Sequence, residues 1–91
     1  MYIGQNFRLT LTGGIDITGG TAKIQYKDSS AAMAEKDATV STPATAVCYA
    51  DFSGTDIPNL GKWRFWLKVI VGDKTYYGKP YTIEVKALGS L

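Results

Sequence analysis

At 91 residues the chain holds one domain, 1–91, with no room for a second. Its 45% hydrophobic and 20% charged residues exclude a disordered chain, and a net charge of +2 is too small to argue for nucleic acid. No apolar run approaches the roughly 18–20 residues of a membrane helix, and Met1-Tyr2-Ile3-Gly4-Gln5 has neither the basic start nor the apolar core of a signal peptide.

From Gln5 to Thr12 the residues alternate, with Phe7, Leu9 and Leu11 on one side and Asn6, Arg8 and Thr10 on the other, which predicts a first strand closed by Gly13-Gly14. Ile15 and Ile17 are expected to anchor the connection that turns at Gly19-Gly20. Thr21 to Lys27 alternates again, with Ala22, Ile24 and Tyr26 inward and Lys23, Gln25 and Lys27 outward. Asp28 to Asp37 reads as a loop with at most one helical turn, the alternative being an irregular edge strand. Ala38 to Ser41 is a short strand that stops before Pro43, and Thr45 to Asp51 is the next. Val47 is placed in the core, and Cys48 is read as a small buried hydrophobe. Phe52 to Leu60 is a connection punctuated by Gly54 and Pro58, with Ile57 and Leu60 as core plugs.

The most informative stretch is Lys62 to Val71. Trp63, Phe65, Leu67, Val69 and Val71 recur every second residue, so one face of this strand is committed to a core, while Arg64, Trp66 and Lys68 fall on the other. Its lead-in, Asn59-Leu60-Gly61-Lys62-Trp63, has the form of a corner that turns the chain into a new strand, with Gly61 in a backbone geometry that a β-carbon disfavours or set against the aromatic that follows. Gly72-Asp73-Lys74 makes a hairpin turn. Its partner strand, Thr75 to Lys86, is interrupted near Gly78-Lys79-Pro80, because proline in a strand belongs at an edge or a bulge. Tyr81, Ile83 and Val85 resume the inward alternation, and 87–91 is a short tail, flexible unless a partner holds it. Six to seven short strands without a long amphipathic helix predict an all-β, antiparallel sandwich. In it Trp63, Phe65, Leu67 and Val69 face Phe7, Leu9, Ile24, Tyr26, Val47 and Ile83.

The chemistry of catalysis is thin. There is no histidine, the commonest general base and metal ligand, and one cysteine builds neither a disulfide nor a zinc site. The glycine pairs match no phosphate-binding pattern, and Asp28, Asp51 and Asp56 lack the ligand spacing of a calcium loop. No catalytic, cofactor-binding or metal-binding residue is expected, and an enzyme is not. Binding is a different matter. Trp66 between Arg64 and Lys68 forms an interface anchor if that face is open, or is covered if the strand is buried on both sides. Cations concentrate at Lys62, Arg64, Lys68, Lys74, Lys79 and Lys86, and carboxylates earlier in the chain. That polarity would orient like subunits head to tail, with the Asp51–Asp56 region supplying the acid.

The order of motifs resembles the immunoglobulin-like domains of tailed-bacteriophage virion proteins. The motifs are Asp16-Ile17-Thr18-Gly19-Gly20-Thr21-Ala22-Lys23-Ile24-Gln25-Tyr26-Lys27, then Leu60-Gly61-Lys62-Trp63, then Val69 to Gly78, then Tyr81-Thr82-Ile83-Glu84-Val85. Most similar are the N-terminal domain of baseplate upper proteins and small tail, head-fibre or decoration components. Many of these have a Lys-Pro-x-Gly hairpin where this chain has Lys27-Asp28-Ser29-Ser30. The resemblance implies an immunoglobulin-like β-sandwich and a non-enzymatic structural role in the tail, baseplate or capsid. It also implies other virion proteins as partners, several copies on one particle, no nucleic acid and no membrane, and a site in the virion after synthesis in the bacterial host's cytoplasm. The alternative from another class is a small carbohydrate-binding module that stacks sugars on Trp66 and its tyrosines.

Overall fold

Period-two alternation produces seven strands in the computed structural model, which describes residues 3–28 and 33–87. They are β1 (Gly4–Thr12), β2 (Thr21–Asp28), β3 (Ala34–Thr42), β4 (Val47–Gly54), β5 (Gly61–Val71), β6 (Lys74–Tyr77) and β7 (Tyr81–Val85), with one 3-10 turn at Pro43–Thr45. The chain is all-β, and every pairing is antiparallel. The order across the sheet is β1-β4-β3-β2-β5-β6, and β7 lies against β5 beside β6. β3 serves two ladders. Its first half, Ala34 to Ala38, pairs with β2, and its second half, Thr39 to Thr42, pairs with β4.

That division folds the sheet. In a flat sheet β4 and β5 would stand three strand spacings apart, roughly 14 Å. Instead the rings of Phe52 on β4 and Phe65 on β5 have centroids 5.6 Å apart, edge to face. Phe7 on β1 meets Phe65 at 6.3 Å, and Tyr26 on β2 meets Phe52 at 5.1 Å. The β1–β4 leaf thus lies over the β2–β5 leaf, an arrangement consistent with the expected sandwich. Between them sit Leu9, Ile24, Tyr26, Trp63, Phe65, Leu67 and Val69, all buried, with Phe7 and Ile83 partly buried against them.

Several expectations are corrected. Ala34 to Asp37 is strand rather than loop, the edge-strand alternative of the two readings, because it pairs with β2 at the edge of that leaf. Lys36 points between the leaves. Its Nζ passes 5.4 Å from the centre of the Phe52 ring and bonds Asp56 Oδ2 at 2.7 Å, so the alkyl stem covers core edge while the charge stays paired. Residues 29–32 of the expected loop and 88–91 of the expected tail lie outside the described residues. β4 begins after the turn at Pro43–Thr45, which ends on Ala46 with φ +55°. From there Cys48, Ala50 and Phe52 point inward, Val47 stays half-buried outside the core, and Phe52 is core rather than connection. Leu60, Ile15 and Tyr81 are exposed, not inward. Ile57 and Trp63 fill the space under the corner, Ile17 alone goes in because its N–H is held by the Pro43 carbonyl, and Tyr81 opens an edge strand with no strand beyond it.

The corner before β5 is tied twice. The Trp63 indole N–H donates back to the Asn59 carbonyl at 2.9 Å, and the Asn59 amide donates to Asp28 Oδ2 at 3.1 Å. Gly61 lies between them with φ +108°, a conformation that side chains strain, and it faces open space rather than the aromatic. Gly72, with φ +63°, takes the first central position of the two-residue loop between Val71 and Lys74, where glycine suits a hairpin turn of the II′ kind. β6 and β7 are separated by Gly78-Lys79-Pro80, and the Gly78 N–H still reaches the Leu67 carbonyl at 2.7 Å.

Phe52→Ala should cost about 3–5 kcal/mol by chemical denaturation, whereas Val47→Ala should cost less than about 1.5 kcal/mol. Equal losses would mean that the inward set of β4 is wrong. Gly61→Val should cost about 1–3 kcal/mol through backbone strain alone, with the melting transition still cooperative.

Candidate functional site

Committing Trp63, Phe65 and Leu67 to the core sends Arg64, Trp66 and Lys68 to the opposite face of β5. Register then decides their neighbours. Lys23 on β2 stands opposite Lys68, Gln25 opposite Trp66, and Lys27 opposite Arg64. On the β3 side, Asp37 and Glu35 flank Lys23 and Gln25. On the other side, Tyr77 pairs with Lys68, Thr82 with Arg64 and Glu84 with Lys62.

Trp66 is half-buried, and its polar edge is fixed inside the monomer. Its indole N–H donates to Gln25 Oε1 at 2.8 Å, and Gln25 Nε2 donates to Glu35 Oε2 at 3.1 Å. Only one orientation of the Gln25 amide serves both bonds. Lys23 Nζ closes the chain on Glu35 Oε1 at 3.3 Å. Hydrogen bonds from Gln25 and Lys23 hold the Glu35 carboxyl below its ordinary range, and Glu35 in turn raises the Lys23 ammonium. The indole is therefore oriented before any partner arrives.

Two adjoining grooves open on this face. One, of about 450 Å³, is lined by Lys27, Asp28, Lys62, Arg64 and Thr82. The other, of about 310 Å³, is lined by Lys27, Arg64, Trp66, Tyr77, Gly78 and Pro80. Lys27 and Arg64 belong to both. They stand directly opposite one another across the β2–β5 ladder, which is unfavourable for like charges, and neither makes an ion pair among the described residues.

The outer face of the other leaf is different in kind. Arg8 donates to both oxygens of Asp51, at 2.7 and 3.1 Å, and its guanidinium lies 4.3 Å from the centre of the Tyr49 ring. Asp56 accepts from Lys36 at 2.7 Å and from the Ser53 N–H at 2.8 Å. The acidic region expected to complement Arg64 and Lys68 is thus already neutralised at home. Asp28, Asp51 and Asp56 sit in separate arrangements, and among the described residues no group of three or more histidine, cysteine or carboxylate side chains gathers to hold a metal ion. Cys48 is fully buried, and burial pushes its thiol up, away from the reactive thiolate.

Arg64, Trp66 and Lys68 were legible as one face from the period of β5. Lys27, Gln25, Pro80 and Thr82 were not linked to them, because only the strand register brings them together. Compared with protein-family models, curated proteins and solved structures, the chain matches none.

The carboxyls of Glu35, Asp51 and Asp56 are all held down, first by the side-chain bonds of Gln25, Arg8 and Lys36 respectively. A carboxyl depressed in the folded state contributes stability that is present above its unfolded pKa of about 4 and is lost as pH falls through the folded value. The melting temperature should hold between about pH 5 and 7 and fall progressively below about pH 4. Asp56→Asn should flatten part of that fall. A melting temperature that rises on acidification would contradict these pairings.

Proposed function

We propose that this protein is a non-enzymatic structural subunit of a bacteriophage virion, an immunoglobulin-like domain that docks onto other virion proteins in the tail, baseplate or capsid. Its strand pairing supports the immunoglobulin-like part of the reading. β1 with β4, β2 with β5, and β5 with the broken β6–β7 edge reproduce the B–E, C–F and F–G pairs of that arrangement. The indole of Trp63 supports it too. A donor near the start of the F strand bonds back to main chain at the preceding corner, the task that a tyrosine has in the antibody-type corner.

The observation that carries docking is Trp66. An aromatic with its polar edge already satisfied offers the rest of its ring as an apolar anchor between Arg64 and Lys68, and it loses little rotamer freedom when a partner covers it. Many copies fixed on one particle make a weak contact effective through avidity. The buried, unpaired thiol of Cys48 fits synthesis in a reducing bacterial cytoplasm. The carbohydrate-binding alternative draws on exposed Tyr77 beside Trp66. The polar lining of the Trp66 groove is cationic, and such a site serves acids better than neutral hydroxyls.

Particles assembled with the Trp66→Ala, Arg64→Glu double variant should be depleted of this subunit relative to wild type, while circular dichroism and melting show the domain still folded. Normal incorporation of the double variant would remove this face from the assembly contact. A glycan pull-down that retains the wild-type protein would favour the carbohydrate module instead.

A further inference from the structure

On the docking reading just given, we propose that the partner presents a short acidic segment, with an apolar residue among its carboxylates, to the groove between β2, β5 and the β6–β7 edge. The acids would sit on Lys27 and Arg64, and the apolar residue on Trp66 and Pro80.

Three features converge on that occupant. Lys27 and Arg64 are driven together by the β2–β5 register and make no ion pair among the described residues, the nearby Asp28 being bonded to Asn59, so a carboxylate placed between them relieves a repulsion that the fold leaves standing. The guanidinium offers a planar fork and the ammonium a second donor, which suits a carboxylate held from two sides. Beside them the groove is floored by a ring that the Gln25–Glu35 chain has already oriented, with Pro80 and Tyr77 as its wall. An apolar side chain fits that part; a further charge does not.

The surroundings set the length and source of the segment. Glu35 and Asp37 border the cations on the β3 side, and Glu84 stands opposite Lys62 on the β7 side. A long polyanion such as a nucleic-acid strand would run from the cations into these carboxylates, whereas a short acidic stretch of protein ends before them. A second copy of this chain is a poor donor. Arg8 holds Asp51, Lys36 holds Asp56, Lys23 holds Glu35 and Asp37, Asn59 meets Asp28, and Thr18 meets Asp16. Asp73 at the hairpin tip is a single charge beside Lys74, and Glu84 stands opposite Lys62 in the β5–β7 ladder. The acid therefore comes from a different protein.

The test is calorimetric titration of the whole chain with four probes: a short glutamate-rich peptide with one central leucine, the same peptide with glutamate throughout, oligothymidylate, and oligogalacturonate. The leucine-containing peptide should bind best, and more weakly as salt is raised. Lys27→Ala with Arg64→Ala should lose about tenfold or more in affinity. The same double variant should melt no lower than wild type, because it removes a repulsion rather than a contact. Trp66→Ala should erase the difference between the two peptides while leaving the salt dependence. Preference for oligothymidylate or oligogalacturonate would overturn the proposal in favour of nucleic acid or an acidic glycan. Concentration-dependent dimerisation abolished by Lys27→Ala with Arg64→Ala would overturn it in favour of a second copy. No binding of either peptide at low salt would overturn it outright. Normal particle incorporation without peptide binding would sink this inference alone; peptide binding with no incorporation into particles would sink the virion reading and leave the acidic segment standing.

Discussion

The edge-to-face contact of Phe52 with Phe65 is the constraint on which the rest of this structure depends. It joins strands that are distant in the sheet order and so requires the ladder to fold at β3. Around it Phe7, Tyr26 and Trp63 form a continuous ring cluster, with Phe7 stacked on Phe52 at 5.1 Å and Tyr26 on Phe65 at 5.8 Å. Aromatic pairs add about 0.5–1.5 kcal/mol each beyond the area they bury. In a domain that buries only about 60–65% of its unfolded surface, such pairs are a large part of what separates folded from unfolded. Aliphatic residues finish the two ends, with Ile17 and Val69 among those that close the interior without a disulfide.

The same core determines the outer face, because side chains in a strand have only two sides. Once Phe65 is committed inward against Phe52, Arg64 and Trp66 must face out. Once Tyr26 is inward against Phe65, Lys27 and Gln25 must face out beside them. A slip of one residue in the β2–β5 register would unseat the aromatic cluster and disperse the cations together. Fold and candidate site are thus two readings of one register, and a variant that disturbs the site by shifting β5 would show first as lost stability.

That coupling also explains what was legible in the sequence. The alternation of β1, β2 and β5 was plain, since each has one face fully committed, and so were the hairpin at Gly72-Asp73 and the break at Gly78-Lys79-Pro80. Ala34 to Asp37 was hidden because an edge strand needs no apolar face. Its one inward residue, Lys36, is a cation whose burial depends on Asp56 and the Phe52 ring, both far along the chain. The phase of β4 was hidden by Ala46, whose φ of +55° restarts the alternation by one step and moves Phe52 from connection to core. Within the site, the face of Trp66 was legible and its neighbours were not. Pairing partners on four strands are a property of register, which no single strand declares.

Lys27 and Arg64 stand opposite one another across the β2–β5 ladder without an ion pair among the described residues. Three other described cations find acids, Arg8 its bidentate aspartate, Lys36 its half-buried one and Lys23 two, while Lys62, Lys68, Lys74, Lys79 and Lys86 are spread singly and make no ion pair among the described residues. An opposed like-charge pair costs about 0.2–1 kcal/mol, small beside the 5–15 kcal/mol of an ordinary domain yet simple for any acidic substitution nearby to remove. The pair stands next to a tryptophan whose orientation is already fixed by Gln25. On the proposal of an acidic partner segment, the domain would give up a little stability alone and recover it when a carboxylate from outside completes the row.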